Sequence, residues 1–136
     1  MAEVKISNPA AISPPRGTYS HLAEVEGARK IVAIAGQVAF GPDGKVIGAH
    51  DVEKQAVEVY RNIGNALKAA GGDWQNVIQT MTFVVRREDI AKLAAYRAKE
   101  FPKLYPNGKY PPNTLLVVSG LATEEIVLEV QALAAI

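Results

Sequence analysis

One acidic side chain stands in the middle of the apolar segment Ile126–Ile136, IVLEVQALAAI, and it is Glu129. With a two-residue period, Ile126, Leu128, Val130, Ala132 and Ala134 fall on one face of a strand, and Val127, Glu129, Gln131 and Leu133 on the other. A carboxylate among apolar neighbours in a central strand is costly unless it is paired or used. If used, its chemistry is that of a general base or a group that orients water. Two readings stay open: a structural ion pair with a Lys or Arg, or a catalytic carboxylate. The other groups able to hydrogen-bond a small molecule are Tyr19, His21, Asn113 and Thr114. Gly36 lies inside a strand-like run, where a glycine marks a bulge, a close approach of backbone to a ligand, or crowding against a helix.

Other chemistries lack their residues. The chain has no cysteine, which removes disulfides, thiolate metal sites and cysteine nucleophiles. His21 and His50 are its two imidazoles, and neither sits in an HxxxH spacing or beside a carboxylate pair, so no metal site is expected. The stretch from Gly36 to Gly48 carries no phosphate-loop pattern, and no serine sits in a nucleophile elbow. Fifteen basic against fourteen acidic residues leave a formal charge of +1, with no basic stripe interleaved with aromatics, which argues against a nucleic-acid partner. No run reaches the roughly 18 apolar residues of a membrane span, and the start MAEVKISNPA has no apolar signal core. A cytoplasmic location and no cofactor are the expectations.

The elements that must position these residues follow from periodicity. A length of 136 residues fits a single domain spanning 1–136. Residues 1–18, with Pro9, Pro14, Pro15 and Gly17, read as an extended, irregular arm. Tyr19–Val25 and Lys30–Phe40 read as a hairpin turned by Glu26–Arg29. Asp51 is an N-cap for a helix whose apolar residues step from Val52 to Ala70 by three and four, with Gly71-Gly72 as its stop and Glu53, Lys54, Glu58, Arg61 and Lys68 on a solvated side. Gly64 in that helix predicts close packing on a sheet. Val77–Val85 is a strand. A second helix runs from about Glu88 to Phe101, with Ile90, Leu93, Ala94, Arg97 and Phe101 on one side and Pro102 ending it. Asn113–Ser119 and the terminal segment are the last strands. Two strands, helix, strand, helix and two strands make an α+β sandwich: one mixed sheet, two helices on one face, and a strongly apolar second face. That face predicts a symmetric oligomer packed sheet to sheet.

Specific strings carry more. PAAI (Pro9–Ile12), TYSH (Thr18–His21), AGQVAF (Ala35–Phe40), AAGGDWQNVIQTMTFV (Ala69–Val84), PPNTLL (Pro111–Leu116) and LEVQALA (Leu128–Ala134) occur in an order that resembles the RidA/YjgF family across nearly the whole chain. The resemblance implies a chorismate-mutase-like fold, a homotrimer with its sheets inward, and a small-molecule cleft at each subunit boundary. It also implies cofactor-independent hydrolysis of reactive enamines and imines. Residue by residue, Tyr19 matches the family's cleft tyrosine, Gly36 the glycine whose backbone lies along the ligand, and Glu129 the carboxylate that positions or activates water. Ala35, Asn113, Thr114 and Leu115 take the remaining cleft positions.

Three of those positions depart from the family pattern. Ala35 stands where the deaminase branch has serine, Ala94 near the place of a helix asparagine, and Asn113 where that branch has the arginine of its PxRS motif. Losing a two-pronged charged contact with a substrate carboxylate costs on the order of 1.5–3 kcal/mol. Either another cation reaches the cleft, with Arg16, Arg86 and Lys103 as candidates, or the ligand presents a neutral carbonyl or amide to Asn113, which can both donate and accept. The second is preferred, which makes the usual 2-imino acid a poor substrate. A third option makes Asn113 a turn former beside a vestigial cleft. The expected function is hydrolysis of a C=N bond in a small metabolite. The alternatives are a non-catalytic small-molecule-binding or regulatory trimer and, further off, an endoribonuclease or translation inhibitor.

Overall fold

The computed structural model describes residues 2–136. Its elements are β1 (Glu3–Ser7), β2 (Leu22–Glu26), β3 (Ile31–Gln37), α1 (Val52–Ala69), β4 (Val77–Val84), α2 (Asp89–Leu104), β5 (Asn113–Val117) and β6 (Leu128–Ala135). Four strands form a mixed sheet in the order β3-β6-β4-β5, with β6 antiparallel to both neighbours and β4 parallel to β5. The α+β class and the central place of the terminal strand are as the sequence predicts.

The first two strands differ from expectation. β1 and β2 form their own antiparallel ribbon, Glu3 opposite Glu26 through Ser7 opposite Leu22, so the N-terminal arm is not irregular throughout and β2 does not hairpin with β3. The reason lies in side-chain matching: Val4 and Ile6 stand opposite Val25 and Ala23 on the ribbon's half-buried face. The prolines that suggested irregularity fall in the connection between β1 and β2. One continuous sheet is thus corrected to a four-stranded sheet plus a ribbon, and the outer edge of β3 has no strand partner among the described residues.

One face of the four-stranded sheet makes the core. Leu128, Val130, Ala132 and Ala134 of β6 and Val77 and Val84 of β4 pack with Val52, Ala56, Val59, Ile63 and Leu67 of α1 and Leu93 and Phe101 of α2. Each fully buried Val, Leu or Ile side chain among them contributes about 1.5–3 kcal/mol. The opposite face is less apolar than expected: Gln79, Gln131 and Glu129 stand among Ala33, Ala35, Met81, Phe83 and Leu133.

α1 begins where Asp51 accepts the backbone N–H groups of Glu53 and Lys54 at 3.1 and 3.0 Å, and ends with Gly71 at φ +87°. Two of its residues behave otherwise than their sequence context suggested. Gly64 makes room for the Trp74 indole rather than for the sheet, and Glu58 is buried, held by Arg61 at 2.8 Å. α2 runs on through Pro102, one turn past the predicted stop. Pro102 lacks the N–H that would reach Ala98, yet the turn closes through the Tyr105 N–H to the Phe101 carbonyl at 2.8 Å. Phe101 and Tyr105 are themselves fixed in an aromatic cluster with Tyr60, Trp74 and Tyr110.

Burial pushes the phenols of Tyr60, Tyr96 and Tyr105 above their ordinary value, with the Arg97 charge pulling Tyr60 and Tyr105 the other way. The folded chain therefore keeps phenol protons that the unfolded chain releases above pH 10.0. Stability should be level from about pH 8 to 9 and fall as pH rises past about 10. Urea midpoints across that range check this, and Tyr60→Phe should flatten the fall.

Candidate functional site

A cleft of about 770 Å³ opens between the arm, α2 and the edge strand β5. Thr18 and Tyr19 line it from the arm, Leu93, Ala94 and Arg97 from α2, and Asn113, Thr114 and Leu115 from β5. Of the residues singled out in the sequence, Tyr19, Asn113, Thr114 and Leu115 thus come together. The arm is held in place locally. The His21 backbone N–H donates to Asn8 Oδ1 at 2.8 Å, its Nε2 lies 2.7 Å from the Ser13 carbonyl, and its ring meets Tyr19 edge-on at 5.9 Å.

Asn113 is oriented by two neighbours on β4. Its Oδ1 accepts from Thr80 Oγ1 at 2.9 Å and Thr82 Oγ1 at 2.7 Å. With the carbonyl oxygen occupied, the side chain has its amide N–H groups to offer, so it acts as a donor. The register places Asn113 opposite Thr80, and Thr80 opposite Ala132, so Asn113 projects on the helix-covered side of the sheet.

Glu129 lies elsewhere. It stands opposite Phe83 on β4, three residues from Ala132, and therefore on the other face. β4 separates β6 from β5, which adds two inter-strand spacings, about 10 Å. The carboxylate is half-buried and rests against Gly36 of β3. A Cβ there would lie 1.9 Å from Glu129 Oε1, 2.8 Å from Cδ and 3.0 Å from Cγ. Gly36 falls within the register shift between Ile34 and Gln37, so it marks a bulge, and what approaches its backbone is the Glu129 side chain rather than a helix. Ala35 borders a shallow depression on this second face with Ala33, Met81, Gln131 and Leu133. Among the described residues no Lys or Arg pairs with Glu129, which removes the structural ion-pair reading in the isolated chain.

The position of Glu129 is set from a distance by Gln55, fully buried on α1. Its Nε2 donates to the carbonyls of Gly48 at 3.0 Å and Glu125 at 2.7 Å, and its Oε1 accepts the Val127 N–H at 2.9 Å. This clamp holds the entry to β6 two residues before Glu129.

Of the three cations proposed for the cleft, Arg16 alone lines it. Arg86 is taken by Asp89 at 2.8 Å and the His50 carbonyl at 2.7 Å, and Lys103 by Glu100 at 3.1 Å. The cation missed from sequence is Arg97. Its signal was an arginine one turn from Leu93 and one turn from Phe101, inside the stripe that otherwise faces the core. No cluster of three or more His, Cys, Asp or Glu able to hold a metal occurs among the described residues, and no helix is long and apolar enough to cross a membrane.

Known proteins resemble this chain in sequence and fold. The endoribonuclease L-PSP family model matches residues 9–136. The 2-iminobutanoate/2-iminopropanoate deaminase of Mus musculus is 30% identical over 126 residues, which cover 93% of this chain and 84% of that protein. The solved structure of YyfB from Yersinia pestis, described as a protein of unknown function of the conserved Rid family, aligns with a TM-score of 0.86 at 26% identity, covering 98% of this chain and 99% of that one. The YjgF gene product of E. coli aligns with a TM-score of 0.68 at 26% identity, covering 94% and 92%. A mixed sheet backed by two helices, matched end to end in this way, is the chorismate-mutase-like α+β fold of the Rid proteins. The chain belongs to the endoribonuclease L-PSP family, that is, to the RidA/YjgF proteins.

Because Gly36 is the seat of the Glu129 carboxylate, Gly36→Ala should expel it. A crystal structure of the variant is expected to show Glu129 rotated away from β3 and the sheet otherwise unchanged; an unmoved carboxylate would mean the strand yields instead.

Proposed function

We propose that the chain is a cofactor-independent hydrolase of the deaminase type, acting on the C=N bond of a small metabolite in a site completed by a second protomer. The observation that carries this reading is Glu129: a half-buried carboxylate on the central strand, seated on a glycine, with no cation paired to it among the described residues. A carboxylate so placed can take a proton from water. The name of the mouse relative supplies the reaction class.

In this reading Glu129 deprotonates a water, whose oxygen adds to the C=N carbon, and passes that proton to the nitrogen, giving a neutral carbinolamine. The tetrahedral carbinolamine then collapses. Glu129 takes the carbinolamine hydroxyl proton as C=O forms and delivers it to the leaving nitrogen as the C–N bond breaks, and a carbonyl compound and ammonia result. Tyr19 and Thr114 hydrogen-bond the ligand, the Asn113 amide donates to it, and Gly36 and Ala35 shape the wall beside the carboxylate.

Geometry argues for the second protomer. Asn113 and Glu129 occupy opposite faces of the sheet in one chain and cannot act on one small molecule there. The proposed arrangement is a homotrimer with the Glu129 faces inward, each carboxylate face closing a neighbour's cleft. Alanines at positions 33 and 35 and the exposed Ile31 on the adjoining edge leave room for such contact.

Two measurements test this. Ammonia release from imines generated in solution should fall about a hundredfold or more in Glu129→Gln, in line with loss of a general base. Equal rates for the two proteins would remove Glu129 from the chemistry. Sedimentation should give three copies, and a monomer that still turns over would defeat the shared site. Asn113 in place of arginine and Ala35 in place of serine favour a second reading, a metabolite-binding trimer. Its signature is thermal stabilisation by a ligand that mass spectrometry finds unaltered.

A further inference from the structure

Arg97 is 7% exposed and has no carboxylate partner among the described residues. Its one hydrogen bond runs from Nη2 to the Thr18 carbonyl at 2.7 Å. Its Nε–H is buried without a partner, and its guanidinium carbon lies 4.4 Å from the centre of the Phe101 ring. A guanidinium cannot shed its proton to escape burial, so a desolvated arginine lacking a counter-ion is a site waiting for an anion. The same cleft holds Arg16 as a second cation and no acidic residue, and Asn113 adds an amide donor whose direction Thr80 and Thr82 fix. The rest of the lining is mostly apolar, with Ile90, Leu93 and Leu115 prominent.

We propose that Arg97 is the cation that grips the substrate's carboxylate, so that the ligand class is a small acid with an apolar body and the anion is held from α2 instead of from the start of β5. The planar fork of the guanidinium suits a carboxylate, and Phe101 beneath it keeps the plane in place. This replaces the preference for a neutral ligand drawn from Asn113, because the neutral amide there is joined by a buried charge. It rests on the deaminase reading for the C=N group and on the cleft alone for the anion.

The test uses stable carbonyl compounds, which separate binding from turnover. The full chain is titrated calorimetrically with α-ketoisocaproate and with its primary amide. The acid should bind about tenfold more tightly or better, with an advantage that shrinks as salt rises. Arg97→Gln should weaken acid binding about ten- to a hundredfold and leave the amide within about twofold, while Arg97→Lys recovers part of the loss. Equal affinity of the native chain for acid and amide, or no binding of the acid, overturns the proposal. An undiminished acid preference in Arg97→Gln does the same. Should Arg97→Gln not fold, the native acid-to-amide ratio and Arg97→Lys decide between the outcomes. An acid preference without ammonia release from any imine would uphold the anion site and remove the hydrolase.

Discussion

The central strand cannot shift. β6 is laddered on both sides, to β3 and to β4, and its entry is clamped by Gln55, whose amide meets the Glu125 carbonyl and the Val127 N–H across 70 and more residues of sequence. In a strand with a two-residue side-chain period, a slip of one position would put Glu129 into the core and Val130 on the open face. Burying that charge or stranding the buried amide of Gln55 costs several times what a single apolar contact returns. The side of the sheet on which the carboxylate stands is therefore a consequence of one register.

That register also divides the site. Alternation along β6 and its pairing through β4 to β5 assign Glu129 to one side of the sheet and Asn113 to the other. Within a family whose cleft is expected at a subunit boundary, such a division has a physical logic. On the proposed trimeric reading, the carboxylate of one copy and the cleft of the next would meet only when the copies assemble, so that a substrate would be engaged by both at once.

The cleft holds a cation that motif comparison does not reveal. A motif compares identities at matching positions, and the arginine that faces this pocket sits on α2, some sixteen residues earlier in the chain. Asn113 then serves as an oriented donor, tied down by the hydroxyls of Thr80 and Thr82. Phe101 and the aromatic cluster behind it support Arg97, which links the pocket to the packing of the helices.

Much of this was legible in the chain alone. The N-cap at Asp51, the stop at Gly71, the helix-period row of α1 and the apolar alternation of β6 are local patterns, set by backbone sterics and side-chain period, and they read directly. The glycine at 36 announced itself because a strand interior tolerates a missing side chain only for cause. Tertiary structure decided the rest, since it turns on pairs far apart in sequence. β2 chose β1 over β3 because Val4 and Ile6 matched its apolar face. Gly64 faced Trp74, Gly36 received Glu129, and Arg97, already on the core-facing stripe by its spacing, met a cleft there. None of those partners is encoded in the spacing of neighbouring residues, because each is settled by which distant surface is free to accept the side chain.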